Sequence, residues 1–155
     1  MMGATDPYGL DPGCPIIPWV HTPKVCNRCG VALTGRRTQW CSKQCELVFR
    51  ENHDWNLARR AARRRDGQRC VRCGSDGIPR VFVAGQQVEV RFDTSAWSRH
   101  HPLLEVNHKT PREGRGYAWG CHHHLEGLET LCRPHHQVET RKQAAQRRAR
   151  QAVSA

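Results

Sequence analysis

The chain is short of the residues that build a large core. Only 37% of its 155 residues are hydrophobic and 6% are aromatic. Small domains with thin cores usually need metals or disulfides to hold them. No apolar run is long enough to span a membrane, so none is expected to lie in one. No secretory signal is expected either, because residues 1–23 carry five prolines, with glycine and aspartate, where an apolar stretch would stand. Acidic residues are scarce: 14 against 25 lysines and arginines, for a formal charge of +11. Such a balance points to a polyanionic partner, with nucleic acid the default and a solvated basic surface the alternative.

Cysteine, in contrast, is abundant. Six of the nine cysteines stand in three close pairs, Cys26/Cys29, Cys41/Cys45 and Cys70/Cys73. In the reducing, cytoplasmic setting implied by the absent signal, such pairs mean zinc more often than disulfide. Cys26-x2-Cys29-x11-Cys41-x3-Cys45 has the ligand count and spacing of a closed tetrahedral zinc site. Cys70-x2-Cys73 is half of a second site. Cys132-x2-His135 repeats the knuckle spacing and supplies the other half, so that zinc closes a loop of about sixty residues. Both sites are expected to be structural. Cys14 and Cys121 are left over, Cys14 as a plain thiol, Cys121 as a buried residue or an alternative ligand.

The patterning divides the chain into parts. Residues 1–23 read as a disordered arm and residues 24–50 as a four-cysteine ribbon. Ser42 is placed to cap a helix through KQCELVFRE. Asp54 is placed to cap a basic helix, WNLARRAARRRDG, inside a linker spanning 51–67. VFVAGQQVEVRF (81–92) reads as a hairpin about Gly85, TSAWSRHHP as loop, and 103–107 as strand. A helix is expected from about Glu126, bent near Pro134, with 143–155 as a basic helical tail. The fold class expected is α+β.

Between residues 108 and 136 stand six histidines and two cysteines. With Cys132 and His135 assigned to zinc, Asn107, His108, His122 to His124 and His136 remain. The ordered set CVRCG, EVNHKTP and LEGLETLCRPHH resembles the HNH endonuclease family of the zinc-stapled type. The likeness spans roughly residues 66–140, about half the chain, and the preceding ribbon and basic helix resemble small actinobacterial and phage-borne HNH proteins less specifically. The resemblance implies a ββα-metal nuclease domain over 68–142. It also implies metal-dependent hydrolysis of DNA phosphodiester bonds, by nicking or double-strand cleavage. His108 matches the general base, a role that suits an imidazole titrating near neutrality. Asn107 and His136 match ligands of a catalytic Mg2+, Mn2+ or other divalent ion, which would act on the leaving oxygen. Adjacent strand residues would point to opposite faces unless a turn begins at 107. The family often has aspartate at 107, and its middle asparagine falls at Gly127. His123 or His124 can compensate, as a brace or as a further metal ligand. Thr140 stands where some members place one more ligand.

The arginine clusters fit a backbone-contacting nuclease, with Arg59, Arg60, Arg63, Arg64, Arg65, Arg112, Arg115, Arg141 and Lys142 as candidates. The expected partner is double-stranded DNA, with no membrane. A partner protein such as a phage packaging or mobile-element component is implied only by the resemblance, as is a bacterial or phage-infected cell. The rival reading is a non-catalytic zinc-ribbon DNA-binding or adaptor protein with a degenerate HNH fold. A weaker third is an RNA-binding zinc protein.

Overall fold

The structure is a computed structural model that describes residues 10, 11, 13–78, 80–89, 103–111 and 118–153. The architecture is α+β, with three helices and two antiparallel two-stranded sheets among the described residues. The chain divides into two compact units. One comprises residues 1–61 and 112–127, the other 62–111 and 128–155. Residues 118–127, which the sequence assigns to the 68–142 domain, thus group with the N-terminal part.

In the first unit, residues 24–33 form a small hairpin. Val25 bridges Ala32, and Leu33 N–H donates to Lys24 O at 2.7 Å. Helix α1 (Lys43–His53) follows, capped as expected by Ser42, whose hydroxyl accepts from Cys45 N–H at 3.3 Å. Asp54 ends α1 and starts α2 (Trp55–Arg65), with its carboxylate accepting from Asn56 N–H at 2.8 Å. Within α2, Ala58, Ala61 and Ala62 are buried. Small alanines on one helical face let that face pack closely while the arginines take the others.

Residues 13–23 were expected as part of a disordered arm. They form successive turns instead, and Cys14 and Ile17 are 2% and 1% exposed. Leu10, Cys14, Ile17 and Phe49 make one core cluster, with Trp40, Trp119 and Cys121 packed against it. The prolines set the turns, and the few apolar residues among them supply the burial.

The second unit holds β1 (Arg80–Val83) and β2 (Gln86–Glu89), joined by Ala84 and Gly85 at φ of 50° and 79°. Two successive left-handed residues make the hairpin turn whose twist matches its strands. Residues 90–92 of the expected hairpin and the TSAWSRHHP loop lie outside the described residues. Strand β3 (Leu104–His108) pairs with β4 (Leu128–Cys132), setting Asn107 opposite Glu129 and His108 opposite Leu128. The helix expected from Glu126 therefore begins later. Residues 128–132 are strand, and α3 runs Arg133–Val153. All five residues of β4 (LETLC) are buried, polar Glu129 and Thr130 included, so the short segment carries no one-sided helical period. Pro134 does not bend the helix. It sits in the first turn, where its missing N–H leaves no bond unmade.

Candidate metal centres

Among the described residues, three Cys/His clusters can hold metal ions such as zinc, each with its ligand atoms within 4.8 Å of one another. Two have the composition the spacing predicts. The first is Cys26, Cys29, Cys41 and Cys45. Gly30 N–H donates to Cys26 O at 3.0 Å, and Gly30 takes φ +74°, the left-handed step that lets the knuckle close. Cys41 Sγ lies 3.5 Å from both Cys29 Sγ and Cys45 Sγ. Cys45 sits in the first turn of α1. Burial pushes the Cys26 thiol up, but backbone N–H groups of Cys29, Cys41 and Arg28 outweigh it and hold Cys26 at about 6. Cys41, crowded by Cys45 and Cys29, is pushed up to about 12. Four sulfur atoms this close form a donor set that a zinc ion could take.

The second cluster is Cys70, Cys73, Cys132 and His135. His135 Nδ1 lies 3.2 Å from Cys132 Sγ and 3.5 Å from Cys70 Sγ. The Cys70 knuckle is pinned to β4, since Val71 N–H donates to Thr130 O at 2.9 Å. Backbone N–H groups of Cys132, Arg72 and Cys73 overcome burial and lower Cys70 to about 6. Cys132 is raised, chiefly by burial. The cluster thus joins the knuckle, β4 and the start of α3, as a staple between them would.

The third cluster was not foreseen. It gathers Cys14, His53, Cys121 and His124. His124, a candidate for the catalytic metal, sits instead with its Nε2 3.1 Å from His53 Nε2 and 3.4 Å from Cys14 Sγ. Burial holds its imidazole below the usual histidine range. Burial, with Cys14 alongside, pushes Cys121 up to about 12, against the Asp11 N–H bond. Cys14, expected as a plain thiol, and Cys121, expected as a buried residue or an alternative ligand, thus stand together in one potential ligand set. The missed signal was Cys121-x2-His124, the same spacing as Cys132-x2-His135. His123 is buried with its ring 5.2 Å from that of Trp55, a packing role.

The residues carried over from the HNH likeness fall as follows. His136 Nδ1 lies 3.0 Å from Glu105 Oε2. Asn107 is buried and donates from Nδ2 to Glu129 Oε1 at 3.2 Å. Arg72 donates to the same carboxylate at 3.2 Å and lies 3.6 Å from Glu139. Glu105 and Glu129 were not singled out from the sequence. His108 closes β3, and its carbonyl accepts from Gln143 Nε2 at 2.7 Å. Helix α3 therefore runs alongside β3. Seven helical residues and three strand residues both span about 10 Å, which lets His136 meet Glu105 while Gln143 meets His108. Pairing continues through His108, so the pleat sends the Asn107 and His108 side chains to opposite faces. Thr140 is taken up locally, its hydroxyl donating to His136 O at 2.9 Å. A Cβ at Gly127 would meet nothing within 4 Å.

The basic candidates divide. Arg60, Arg64 and Arg141 are exposed, and Lys142 pairs with Glu139 at 3.0 Å. Arg59 and Arg63 are half-buried, and no hydrogen bond to Arg59 Nε is found among the described residues. Arg65 serves the fold: it bonds Asp66 at 2.8 Å and Leu128 O at 2.8 Å. Arg112 and Arg115 lie outside the described residues. No described helix is long and apolar enough to cross a membrane. Comparison of the chain with protein-family models, with curated proteins and with solved structures gave no match.

Proposed function

We propose that this chain is a zinc-stabilised HNH endonuclease, with β3, β4 and α3 as its ββα-metal unit and DNA as its substrate. One observation carries the reading. The two residues matched to metal ligands are each tied to a carboxylate through the atom that a metal would not use. His136 presents Nδ1 to Glu105, and Asn107 donates from Nδ2 to Glu129. That leaves His136 Nε2 and Asn107 Oδ1 as donor atoms, each fixed by its acidic neighbour. The acidic partners also supply negative charge that asparagine lacks at position 107. A hard divalent cation such as Mg2+ or Mn2+ held there would stabilise charge on the leaving oxygen. His108 would take the proton of the attacking water. Arg72 and Lys109 line an open groove of about 730 Å³ with Asp66, Glu129 and Glu139, and Arg72 is ion-paired to the two glutamates. The zinc clusters serve as staples and leave no open position for chemistry.

The second reading, a DNA-binding or adaptor protein without catalysis, is favoured by the opposite faces taken by Asn107 and His108. Nicking of supercoiled plasmid in Mg2+ or Mn2+ decides between them. Wild type is expected to nick, while His108→Ala binds DNA and does not. If both bind DNA and neither nicks with any divalent metal, the adaptor reading stands.

A further inference from the structure

We propose that Cys14, His53, Cys121 and His124 form a third, closed zinc site, which fastens the N-terminal segment to the end of α1. All four ligand atoms lie within 4.8 Å of one another. Zinc at roughly 2.3 Å from sulfur and roughly 2.0–2.1 Å from nitrogen, in tetrahedral order, sets S···N near ~3.6 Å and N···N near ~3.3 Å. The cluster shows Cys14 Sγ 3.3 Å from His53 Nε2 and 3.4 Å from His124 Nε2, with 3.1 Å between the two nitrogens.

Hydrogen bonding alone does not account for this grouping. His53 is fully buried, and its Nδ1 donates to Phe49 O at 2.7 Å. The neutral ring then has a bare lone pair at Nε2 and no proton to give there. If His124 carries its proton at Nε2, that atom can donate but cannot also accept from the Cys14 thiol. At most two protons are available for three short approaches, and Cys121 crowds the same space. One cation satisfies every lone pair together. The Phe49 carbonyl orients His53 as a backbone acceptor commonly orients a metal-bound imidazole. The Asp11 N–H bond to Cys121 Sγ at 3.2 Å suits a thiolate.

The surrounding backbone is built for the cluster. Gly120 N–H donates to His53 O at 3.0 Å, and Trp55 N–H donates to Ala118 O at 2.9 Å. This short ladder brings Cys121 beside His53. Gly120 takes φ +143°, and a Cβ there would lie 2.5 Å from the His122 ring. A 3₁₀ turn over Cys121–His123 then sets Cys121 and His124 on one side. Asn52 Oδ1 holds the far end by accepting from Leu125 N–H at 3.0 Å.

The test is zinc content of the purified full-length chain, by metal analysis and by native mass spectrometry. Three zinc ions per chain are expected, one for each cluster. Cys121→Ala and Gly120→Ala are each expected to hold one fewer. Because either variant can lose its fold, wild type carries a second measurement, iodoacetamide labelling. Cys14 and Cys121 should be protected until a chelator is added, with no disulfide between them in a non-reducing peptide map. Two zinc ions in wild type would overturn the site. So would a Cys14–Cys121 disulfide, labelling of both thiols without chelator, or a Cys121→Ala chain that keeps the full complement.

Discussion

Glu105 on β3 and His136 on α3 meet at 3.0 Å, carboxylate oxygen to Nδ1. The contact engages Nδ1 and leaves Nε2 as the nitrogen that would meet the proposed metal. Removing such a carboxylate partner typically costs about 10–100-fold in metal affinity or activity. Glu105→Ala is therefore expected to raise the Mn2+ concentration needed for half-maximal nicking by roughly that factor. Zinc content should stay at the wild-type value, because Glu105 belongs to none of the three clusters. An unchanged metal requirement would remove His136 from the proposed ligand set.

Asp66 anchors the second unit. It is nearly buried, bonds Arg65 at 2.8 Å and accepts from Thr130 N–H at 2.9 Å. Burial raises its pKa, but these bonds outweigh it and the net shift is downward. A lowered carboxylate stabilises the fold above its unfolded value of about 3.9, and that contribution is lost as pH falls through the folded value. Asp66→Asn is expected to cost about 1–3 kcal/mol at pH 7 by denaturant unfolding. The gap to wild type should hold down to about pH 5 and narrow below about pH 4. A gap that does not change with pH would mean that the charge contributes nothing.

Arg65 and Arg141 are both candidates for DNA contact, yet they should behave differently. Arg141 is exposed on α3. Arg141→Ala is expected to reduce the slope of log affinity against log salt by about 0.9, alike for unrelated DNA sequences. Arg65 bonds Leu128 O and Asp66, so Arg65→Ala should lower stability by about 1–3 kcal/mol and move the salt slope less. Fluorescence anisotropy at several salt concentrations measures the first effect and denaturant unfolding the second. Equal salt slopes for the two variants would contradict the assignment.

Metal removal should dismantle the second unit. Its buried apolar residues are few, and in the cluster of Cys70, Leu104, Leu131 and Cys132 two belong to a candidate metal site. Structural zinc contributes roughly 10–16 kcal/mol of apparent binding free energy, more than so small a core can replace. Chelation, or Cys132→Ala, is expected to abolish amide protection in β3 and β4 by hydrogen exchange. Retained protection after complete zinc loss would make the staple dispensable.

The sequence by itself determined the parts whose physics is local. A Cys-x2-Cys turn brings two thiols together wherever it sits, so Cys26/Cys29 and Cys70/Cys73 were legible, and Cys132-x2-His135 could be matched by spacing. Ser42 and Asp54 cap their helices through neighbouring N–H groups, and the turn at Ala84 and Gly85 needs only its own residues. Tertiary structure decided what depends on distant partners. LETLC is too short for its period to separate strand from helix, and pairing with β3 made it strand. Cys14, His53 and the Cys121–His124 turn lie on three separate stretches of chain. Only the pairing of residues 118–120 with 53–55 and the burial of Ile17 against Phe49 bring them together. The same holds for the contacts of Glu105 on β3 with His136 on α3 and of Glu129 on β4 with Asn107 on β3, which no spacing along the chain encodes.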